Sequence, residues 1–227
     1  MSSLTQVQLI VDIPAALRAT PQLTHAGRGD ESLVVKTVLT EGFGGAVIRP
    51  WRILGQHGQH LTVLGYTEGL DADVLNQRLS LGLPSLQTAI TVVGSAPLAI
   101  PQAGQSFRFR IRCVPLISVT GARTRDAYTY ECTKAGTSEG IDRAEVYARY
   151  LQERLPGATA SDMTLDGFQL MSMVRRKQQG WSTGRFPMAE LSGVLTVDDP
   201  AAFLGPLANG VGRMRAYGFG MLRLEAP

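Results

Sequence analysis

Two successive segments of this chain are each predicted to form the order strand, helix, strand, strand, helix, strand. In the first segment, apolar and polar residues alternate in the strands, and apolar residues recur at helical spacing between them. The predicted strands cover residues 6–13, 46–54, 61–66 and 87–93, and the predicted helices cover residues 31–41 and 71–81. This order is that of the ferredoxin-like unit, and it limits the chain to an α+β fold.

The order then restarts after a proline-containing connector. The second set of strands is predicted over residues 106–114, 167–176, 188–197 and 217–224, with helices over residues 142–155 and 200–207. We therefore predict two tandem ferredoxin-like domains, 1–95 and 104–227, joined by a linker over 96–103. The second carries a polar insertion around 115–140, expected to be a loop or a hairpin, and a Gly-rich loop over 209–220.

Composition limits the class of protein. The 227 residues are 44% hydrophobic with a formal net charge of +3, which suits a folded, mildly basic protein that could bind nucleic acid. The two cysteines form no C-x-x-C motif, so we expect no metal site and no cofactor. Residues 1–14 do not read as a signal peptide, and no apolar window reaches membrane-spanning length. We expect a cytoplasmic protein that does not contact a membrane.

The Gly-rich loop contains Gly210, Gly212, Arg213, Arg215, Gly218 and Gly220. Glycines let a ligand approach the backbone, exposed N–H groups suit anions, and arginines donate to phosphate as a fork. The spacing matches neither a dinucleotide-binding fingerprint nor a P-loop. The loop is therefore predicted to be either a phosphate cradle or simply a tight turn before the last strand.

Four motifs carry a resemblance to a known family. They are AGQSFRFRIRCVP at 103–115, GFQL at 167–170, SGVLTVDDP at 192–200, and GVGR through GFGML at 210–222. In this order they resemble the RAMP superfamily of CRISPR systems, and within it the CasE-like repeat-processing endoribonucleases. The N-terminal half matches that branch only in layout.

The resemblance implies a metal-independent endoribonuclease. Such enzymes bind the repeat stem-loop of CRISPR precursor RNA and cut beneath it. The ribose 2′-OH attacks the adjacent phosphate, which leaves a 2′,3′-cyclic phosphate and a 5′-OH. This chemistry calls for a base, an acid and positive charge on the phosphorane. The implied partners are CRISPR RNA and other subunits of an effector complex, and the divergent catalytic motif suggests a type IV system.

The resemblance also bears on the catalytic residues. The CasE-like branch has a histidine early in its first helix, and Lys36 stands in that place here. His25, in the preceding loop, is the nearest imidazole, and Arg28 lies between two glycines. Three roles stay open. His25 acts as base or acid, Lys36 and nearby arginines act by charge alone, or the chain binds RNA with little turnover.

Several basic segments are candidates for RNA binding, because phosphate contacts supply much of nucleic-acid affinity. They comprise one predicted strand face, the insertion with its tyrosines, and a predicted strand end. The residues are Arg108, Arg110, Arg112, Arg123, Arg125, Lys134, Arg175, Arg176 and Lys177. Each segment could equally be a solvated surface.

Two other classes of function remain open on the sequence. One is a non-catalytic RNA-binding RAMP subunit that scaffolds a ribonucleoprotein. The other is a ferredoxin-like protein that binds a small molecule. The affinity of such a protein for stem-loop RNA would not depend steeply on salt concentration.

Overall fold

The computed structural model describes residues 4–23, 30–119, 123–177 and 180–225. The strands are β1 (Leu4–Asp12), β2 (Trp51–His57), β3 (His60–Glu68), β4 (Ile90–Pro97), β5 (Ser106–Cys113), β6 (Leu116–Val119), β7 (Arg123–Asp126), β8 (Ala158–Lys177), β9 (Gly180–Val197) and β10 (Leu222–Glu225). The helices are α1 (Ile13–Ala19), α2 (Glu31–Gly42), α3 (Ala72–Leu81), α4 (Pro84–Gln87), α5 (Ala127–Ala135), α6 (Arg143–Gln152) and α7 (Pro200–Asn209), with 3-10 turns at Pro21–Leu23 and Arg215–Tyr217.

The chain divides into two compact units that are discontinuous in sequence. The first comprises Met1–Ile100, Ser172–Gly184 and Ala216–Gly218, and the second comprises Pro101–Met171, Arg185–Arg215 and Phe219–Pro227. The continuous domain limits expected from the sequence stay a prediction.

The first unit is built on a four-stranded antiparallel sheet in the order β2-β3-β1-β4. In its central strand β1 every second residue from Thr5 to Val11 is buried, and Val7, Leu9 and Val11 are fully buried. The apolar face of α2 packs into the same core, with Val35 and Val38 fully buried. Burial of this face fixes the rotation of α2 and hence the direction of its other side chains.

The second unit has a four-stranded sheet in the order β10-β5-β9-β8. In both sheets the first strand of the unit lies between the third and the fourth, which follows from a β-α-β-β-α-β connection with antiparallel pairing. The predicted fold class, α+β with two tandem ferredoxin-like units, is confirmed. No helix in the described ranges is long and apolar enough to cross a membrane.

The structure corrects five local predictions in the chain. No helix is predicted between the strand over 6–13 and residue 31, yet Ile13–Ala19 is helical, because Asp12 caps α1 by accepting the N–H of Ala15 at 2.7 Å. The strand predicted from residue 46 begins at Trp51, since Pro50 has no N–H for the ladder. The connection between the strands predicted over 46–54 and 61–66 shrinks to a two-residue turn, because β2 and β3 stay paired as far as His57 and His60.

The last two corrections concern the second half of the chain. The insertion around 115–140 is more than a loop or hairpin: it holds the β6–β7 hairpin and the helix α5. Asp126 caps α5 and Gly136 ends it at φ 73°. The last strand begins at Leu222 rather than 217, because Gly218 and Gly220 have φ values of 83° and 81°, which are incompatible with a strand.

Candidate functional site

Lys36 lies in the middle of α2, half-buried beside the apolar face of that helix. Its ammonium nitrogen Nζ is 3.5 Å from the phenolic oxygen of Tyr217 and 4.5 Å from the centroid of the Tyr217 ring. An ammonium group over an aromatic ring is attracted by the ring quadrupole, by about 0.5–1 kcal/mol at an exposed site. The lysine predicted as a catalytic candidate is therefore held against a tyrosine of the Gly-rich loop region.

Asp30 fixes the start of the helix that carries Lys36. Its Oδ1 accepts a hydrogen bond from the N–H of Leu33 at 3.0 Å, and its Oδ2 accepts one from the N–H of Val174 in β8 at 2.7 Å. A capping carboxylate stabilises a helix N-terminus through these bonds and through the helix dipole. The position of Lys36 is thus set by a capped helix with a buried face.

Tyr217 is held by its neighbour Gly218. A Cβ added at Gly218 would lie 2.5 Å from the ring of Trp51, and the φ of 83° disfavours any other residue. Trp51 is itself buried, and Tyr217 packs against the same core cluster. The backbone beside Tyr217 is therefore pressed against a rigid ring, which fixes where the phenol can reach.

The Lys36–Tyr217 pair offers a positive charge and an O–H donor. Lys36 donates to the Tyr217 oxygen, so the phenolic hydrogen remains able to donate to another group. An ammonium group has no lone pair with which to take up a proton. The pair can stabilise negative charge or deliver a proton, but a general base has to come from another residue.

The glycines of the Gly-rich loop serve conformation and close packing. Gly210, Gly212, Gly218 and Gly220 all have φ values between 74° and 83°. Gly220 accepts the N–H of Val211 at 2.7 Å and donates its own N–H to the carbonyl of Arg112 at 2.7 Å. The N–H groups of Val211 and Gly220 are thereby engaged within the protein. An anion at this loop would therefore have to use side chains or N–H groups other than these two.

The Gly-rich loop borders a groove in the second unit with a volume of about 840 Å³. Three arginines line it: Arg154, Arg213 and Arg215. No aspartate or glutamate is among the lining residues in the described part of the chain. We call this feature the arginine groove.

Two arginines of the groove, Arg213 and Arg215, have defined anchors. Arg213 donates to Ser118 Oγ at 2.5 Å, and Arg215 donates to the carbonyls of Asn209 and Gly210 at 3.2 and 3.4 Å. These anchors are neutral, so they orient the guanidinium groups without cancelling their charge. The groove therefore suits an anion such as a phosphodiester.

The outer face of β5 carries a second row of cations. Arg108 and Arg110 are exposed, whereas Arg112 pairs with Glu190 at 2.8 Å. Arg110 lies directly opposite Arg223 of β10 in the antiparallel register. Like charges at directly opposed positions destabilise a sheet. The carboxylate of Glu225, 3.2 Å from Arg223, offsets part of that repulsion, and the exposed Arg110 can still contact an anion.

A sequence profile for CRISPR-associated proteins matches residues 28–226, which is most of the chain. The chain belongs to this family of CRISPR-associated proteins. The membership of a CRISPR-associated family that the motifs predict is thereby confirmed. No curated protein matches the sequence.

Solved structures share the fold of this CRISPR-associated protein. The CRISPR endoribonuclease Cse3 bound to a 19-nucleotide RNA superposes with a TM-score of 0.66 at 20% identity, over 99% of this chain and 100% of that one. Cas6e from Escherichia coli K-12 gives 0.57 at 16%, over 98% and 100%. A chain of a CRISPR RNA-guided surveillance complex in a pre-nicking state gives 0.59 at 17%, over 100% of both. At these identities the likeness establishes a common fold.

Several candidates from the sequence lie, wholly or by their side chains, outside the described part of the structure. His25 and Arg28 lie outside the described residues. The backbones of Arg123 in β7 and of 175–177 in β8 are described, but their side chains are not, so the roles of Arg123, Arg175, Arg176 and Lys177 stay predictions. Within the described ranges, no three His, Cys, Asp or Glu side chains come together as a metal site.

The insertion of this CRISPR-associated protein exposes Arg125 in β7 and Lys134 in α5. Lys134 lines a second cavity, of about 430 Å³, which also contains three carboxylates. Acidic side chains beside this lysine make the second cavity less suited to RNA than the arginine groove. The candidates that the fold brings together are thus Arg213 with Arg215, and Arg108 with Arg110.

Two residues of the site have no distinctive sequence signal. Tyr217 is one aromatic residue in an apolar stretch, and its link to Lys36 spans most of the chain. Arg154 is a single arginine just after α6, where basic residues are common. The Gly-rich motif next to Tyr217 was the one available hint that its neighbours form a site.

Proposed function

We propose that this protein is an endoribonuclease that binds the repeat stem-loop of CRISPR precursor RNA and cuts the RNA at the base of the stem. The proposal rests on membership of the CRISPR-associated family together with one observation, the ammonium group of Lys36 held at Tyr217. The related fold of Cse3, an endoribonuclease that has been seen with RNA, supports it. As an RNA-processing protein it would act in the cytoplasm.

The proposed reaction is an internal transesterification. The 2′-oxygen attacks the adjacent phosphorus, so that a P–O2′ bond forms while the P–O5′ bond breaks. The 2′-OH gives up its proton to a base, and the departing 5′-oxygen gains one from an acid. The products are a 2′,3′-cyclic phosphate and a 5′-OH. No proton, oxidant or water is consumed overall.

Lys36 and Tyr217 take two of the required roles. The ammonium group of Lys36 stabilises the negative charge that develops on the phosphorane oxygens. The phenolic O–H of Tyr217, already accepting from Lys36, donates a proton toward the 5′-oxygen. His25 is the candidate base, because an imidazole exchanges protons near neutral pH.

RNA binding is assigned to the two groups of arginines in the second unit. The arginine groove holds phosphates through Arg213 and Arg215, and the sheet face holds them through Arg108 and Arg110. Phosphate contacts fix the register of an RNA without reading its sequence. Affinity should therefore fall steeply with salt. A small-molecule binding protein would not show this dependence for stem-loop RNA.

The protein is further proposed to stay on its cleaved stem-loop as a subunit of an effector complex. The shared fold with a chain of a CRISPR RNA-guided surveillance complex supports this. Co-elution of the protein with the cleaved stem-loop on size exclusion, at protein concentrations near the RNA concentration, is the expected result. Release of the product into a separate peak would refute retention and leave cleavage untouched.

A second function, a non-catalytic RNA-binding subunit, is favoured by one observation. The described partner of Lys36 is a tyrosine, and the described histidines His57 and His60 lie at the β2–β3 hairpin tip. His60 contacts Asp12 there at 3.4 Å. If His25 supplies no base, the site would bind the scissile phosphate without cutting it.

Single-turnover cleavage of repeat stem-loop RNA in EDTA separates the two functions. The variants are Lys36→Ala and His25→Ala, with Arg78→Ala as an exposed cation of α3 in the same unit for control. We expect Lys36→Ala to slow cleavage about 100-fold or more, the usual loss when one charge-stabilising donor is removed. His25→Ala should slow cleavage comparably, and Arg78→Ala should not.

Binding without cleavage by the wild type would establish the second function instead. Cleavage that is equally fast in Lys36→Ala, His25→Ala and wild type would show that the chemistry lies elsewhere in the chain.

A further inference from the structure

We propose that the arginine groove binds a short unpaired segment of RNA, by stacking a base on Arg154 and holding its phosphates with Arg213 and Arg215. This inference rests on the proposed function and names the part of the RNA that the groove takes. The paired stem is left to other surfaces of the protein.

Arg154 forms a rigid platform inside the groove. Its guanidinium carbon lies 3.8 Å from the centroid of the Tyr150 ring, and its Nη1 donates to the carbonyl of Tyr150 at 2.8 Å. The same Nη1 lies 3.3 Å from the carboxylate oxygen Oε2 of Glu153. The guanidinium plane is therefore fixed before any ligand arrives, which lowers the entropy lost on binding.

The ring under Arg154 is itself immobile. Tyr150 is 3% exposed, and its hydroxyl donates to the carbonyl of Val114 at 3.2 Å. Burial raises the pKa of this phenol to about 12, so it stays a neutral donor. A Cβ at Gly212 would come within 2.8 Å of the same hydroxyl, so glycine is needed there for the ring to keep its place.

Arg154 still reaches the groove. Its side chain is 30% exposed and lines the cavity together with Arg213 and Arg215. An arginine with an aromatic ring on one face can take a nucleobase on the other, since guanidinium planes stack on unpaired bases. Arg213 and Arg215, both exposed, supply the charge that the flanking phosphates need.

The shape of the site favours an unpaired strand over a duplex. In a duplex the base faces are stacked on one another, and proteins contact its backbone and shallow groove instead. A stacking platform inside a groove can engage only bases that are splayed out. The volume of about 840 Å³ is within the range of pockets that enclose small organic ligands, so it would take few nucleotides.

Fluorescence anisotropy with a short labelled oligoadenylate, compared with a blunt stem-loop RNA, tests the site. The variants are Arg154→Ala, Arg154→Lys and Arg213→Ala. The matched control is Arg149→Ala, an exposed arginine of the same region that pairs with Glu131. Circular dichroism and melting temperature check that each variant folds.

Oligoadenylate affinity should fall about tenfold or more in Arg154→Ala, the usual loss for one stacked base. It should fall nearly as far in Arg154→Lys, which keeps the charge but loses the plane. Arg213→Ala should weaken oligoadenylate binding and reduce its salt dependence, and Arg149→Ala should change neither. The blunt stem-loop should lose less affinity than the oligoadenylate in every groove variant.

Wild-type affinity in Arg154→Lys would overturn the stacking inference, and equal losses for both RNAs would overturn the preference for unpaired RNA. Because Arg213 is exposed, its variant tests the groove even if Arg154→Ala fails to fold. These binding measurements do not depend on catalysis. A wild-type protein that binds oligoadenylate in the groove but never cuts RNA would refute the endoribonuclease proposal and keep this one.

Discussion

Replacing Gly220 by alanine should unfold the Gly-rich loop of the second unit. The methyl group would clash with the carbonyl oxygen of Val211 and would lie 3.0 Å from two other backbone atoms of that residue. The backbone φ of 81° would also be strained for alanine. Backbone atoms cannot move aside as the end of a side chain can. Both 2.7 Å hydrogen bonds of Gly220, to Val211 and to Arg112, would be distorted.

The expected cost follows from these contacts. A left-handed backbone costs a non-glycine residue about 1–2 kcal/mol. Two lost backbone hydrogen bonds add about 1 kcal/mol each. The unfolding free energy should thus fall by about 3–4 kcal/mol, and the melting temperature of a chain of this size by about 6–16 °C.

Differential scanning calorimetry measures the effect, with Gly205→Ala as the control. Gly205 lies in α7, and a Cβ there would meet nothing within 4 Å. Because alanine is the better helix former, this control should hold or raise the melting temperature. If two transitions resolve, Gly220→Ala should shift the one that belongs to the second unit.

The opposite pattern would refute the packing role of Gly220. If Gly220→Ala melts like the wild type but binds RNA weakly, the glycine serves the close approach of a ligand, as in a phosphate cradle. A packing role therefore predicts a lower melting temperature, whereas a role in ligand approach predicts weaker RNA binding at an unchanged melting temperature.

Four further predictions concern the second unit. Asp126→Ala should lower the unfolding free energy by about 2–4 kcal/mol in urea titrations, because it removes a helix cap and leaves the buried Tyr147 hydroxyl, now 2.8 Å from Asp126, without its acceptor. Burial raises the pKa of the Cys113 thiol from 9.0 to about 12. Above pH 9 the unfolded state therefore loses a thiol proton that the folded state keeps. The unfolding free energy should decline from pH 9 toward pH 12. This decline should be less steep in Cys113→Ala. A thiol reagent at neutral pH should modify the partly exposed Cys132 and spare Cys113 until the protein unfolds. Arg110→Ala should lower the slope of log affinity against log salt for stem-loop RNA by about 0.7–0.9, and an unchanged slope would mean that the sheet face does not bind RNA.

Much of the fold could be predicted because its signals are local. Alternation in β1 and β5 and the spacing of Leu33, Val34 and Val38 in α2 are consequences of burying one face. The start of helix α1 and the geometry of the turns could not be predicted from the sequence. The helix α1 depends on the cap that Asp12 provides, and its residues would fit a loop equally well.

The candidate site was less predictable because it depends on distant contacts. Lys36 was found by its place in a family motif, but Tyr217 meets it only after the chain has folded. Gly218 is a glycine in a Gly-rich motif, and nothing local tells that the ring of Trp51 occupies the space of its side chain. Arg154 acquires a role only through the Tyr150 ring beneath it.

The most direct test of the proposed activity uses two RNAs that differ by one oxygen atom. One is the repeat stem-loop RNA, and the other carries a 2′-deoxyribose at the position of the cut. The protein should cut the first in EDTA at the base of the stem, leave a 2′,3′-cyclic phosphate and a 5′-OH, and leave the second intact. Cleavage of the deoxy-substituted RNA, or binding of the first RNA with no cleavage, would contradict the account.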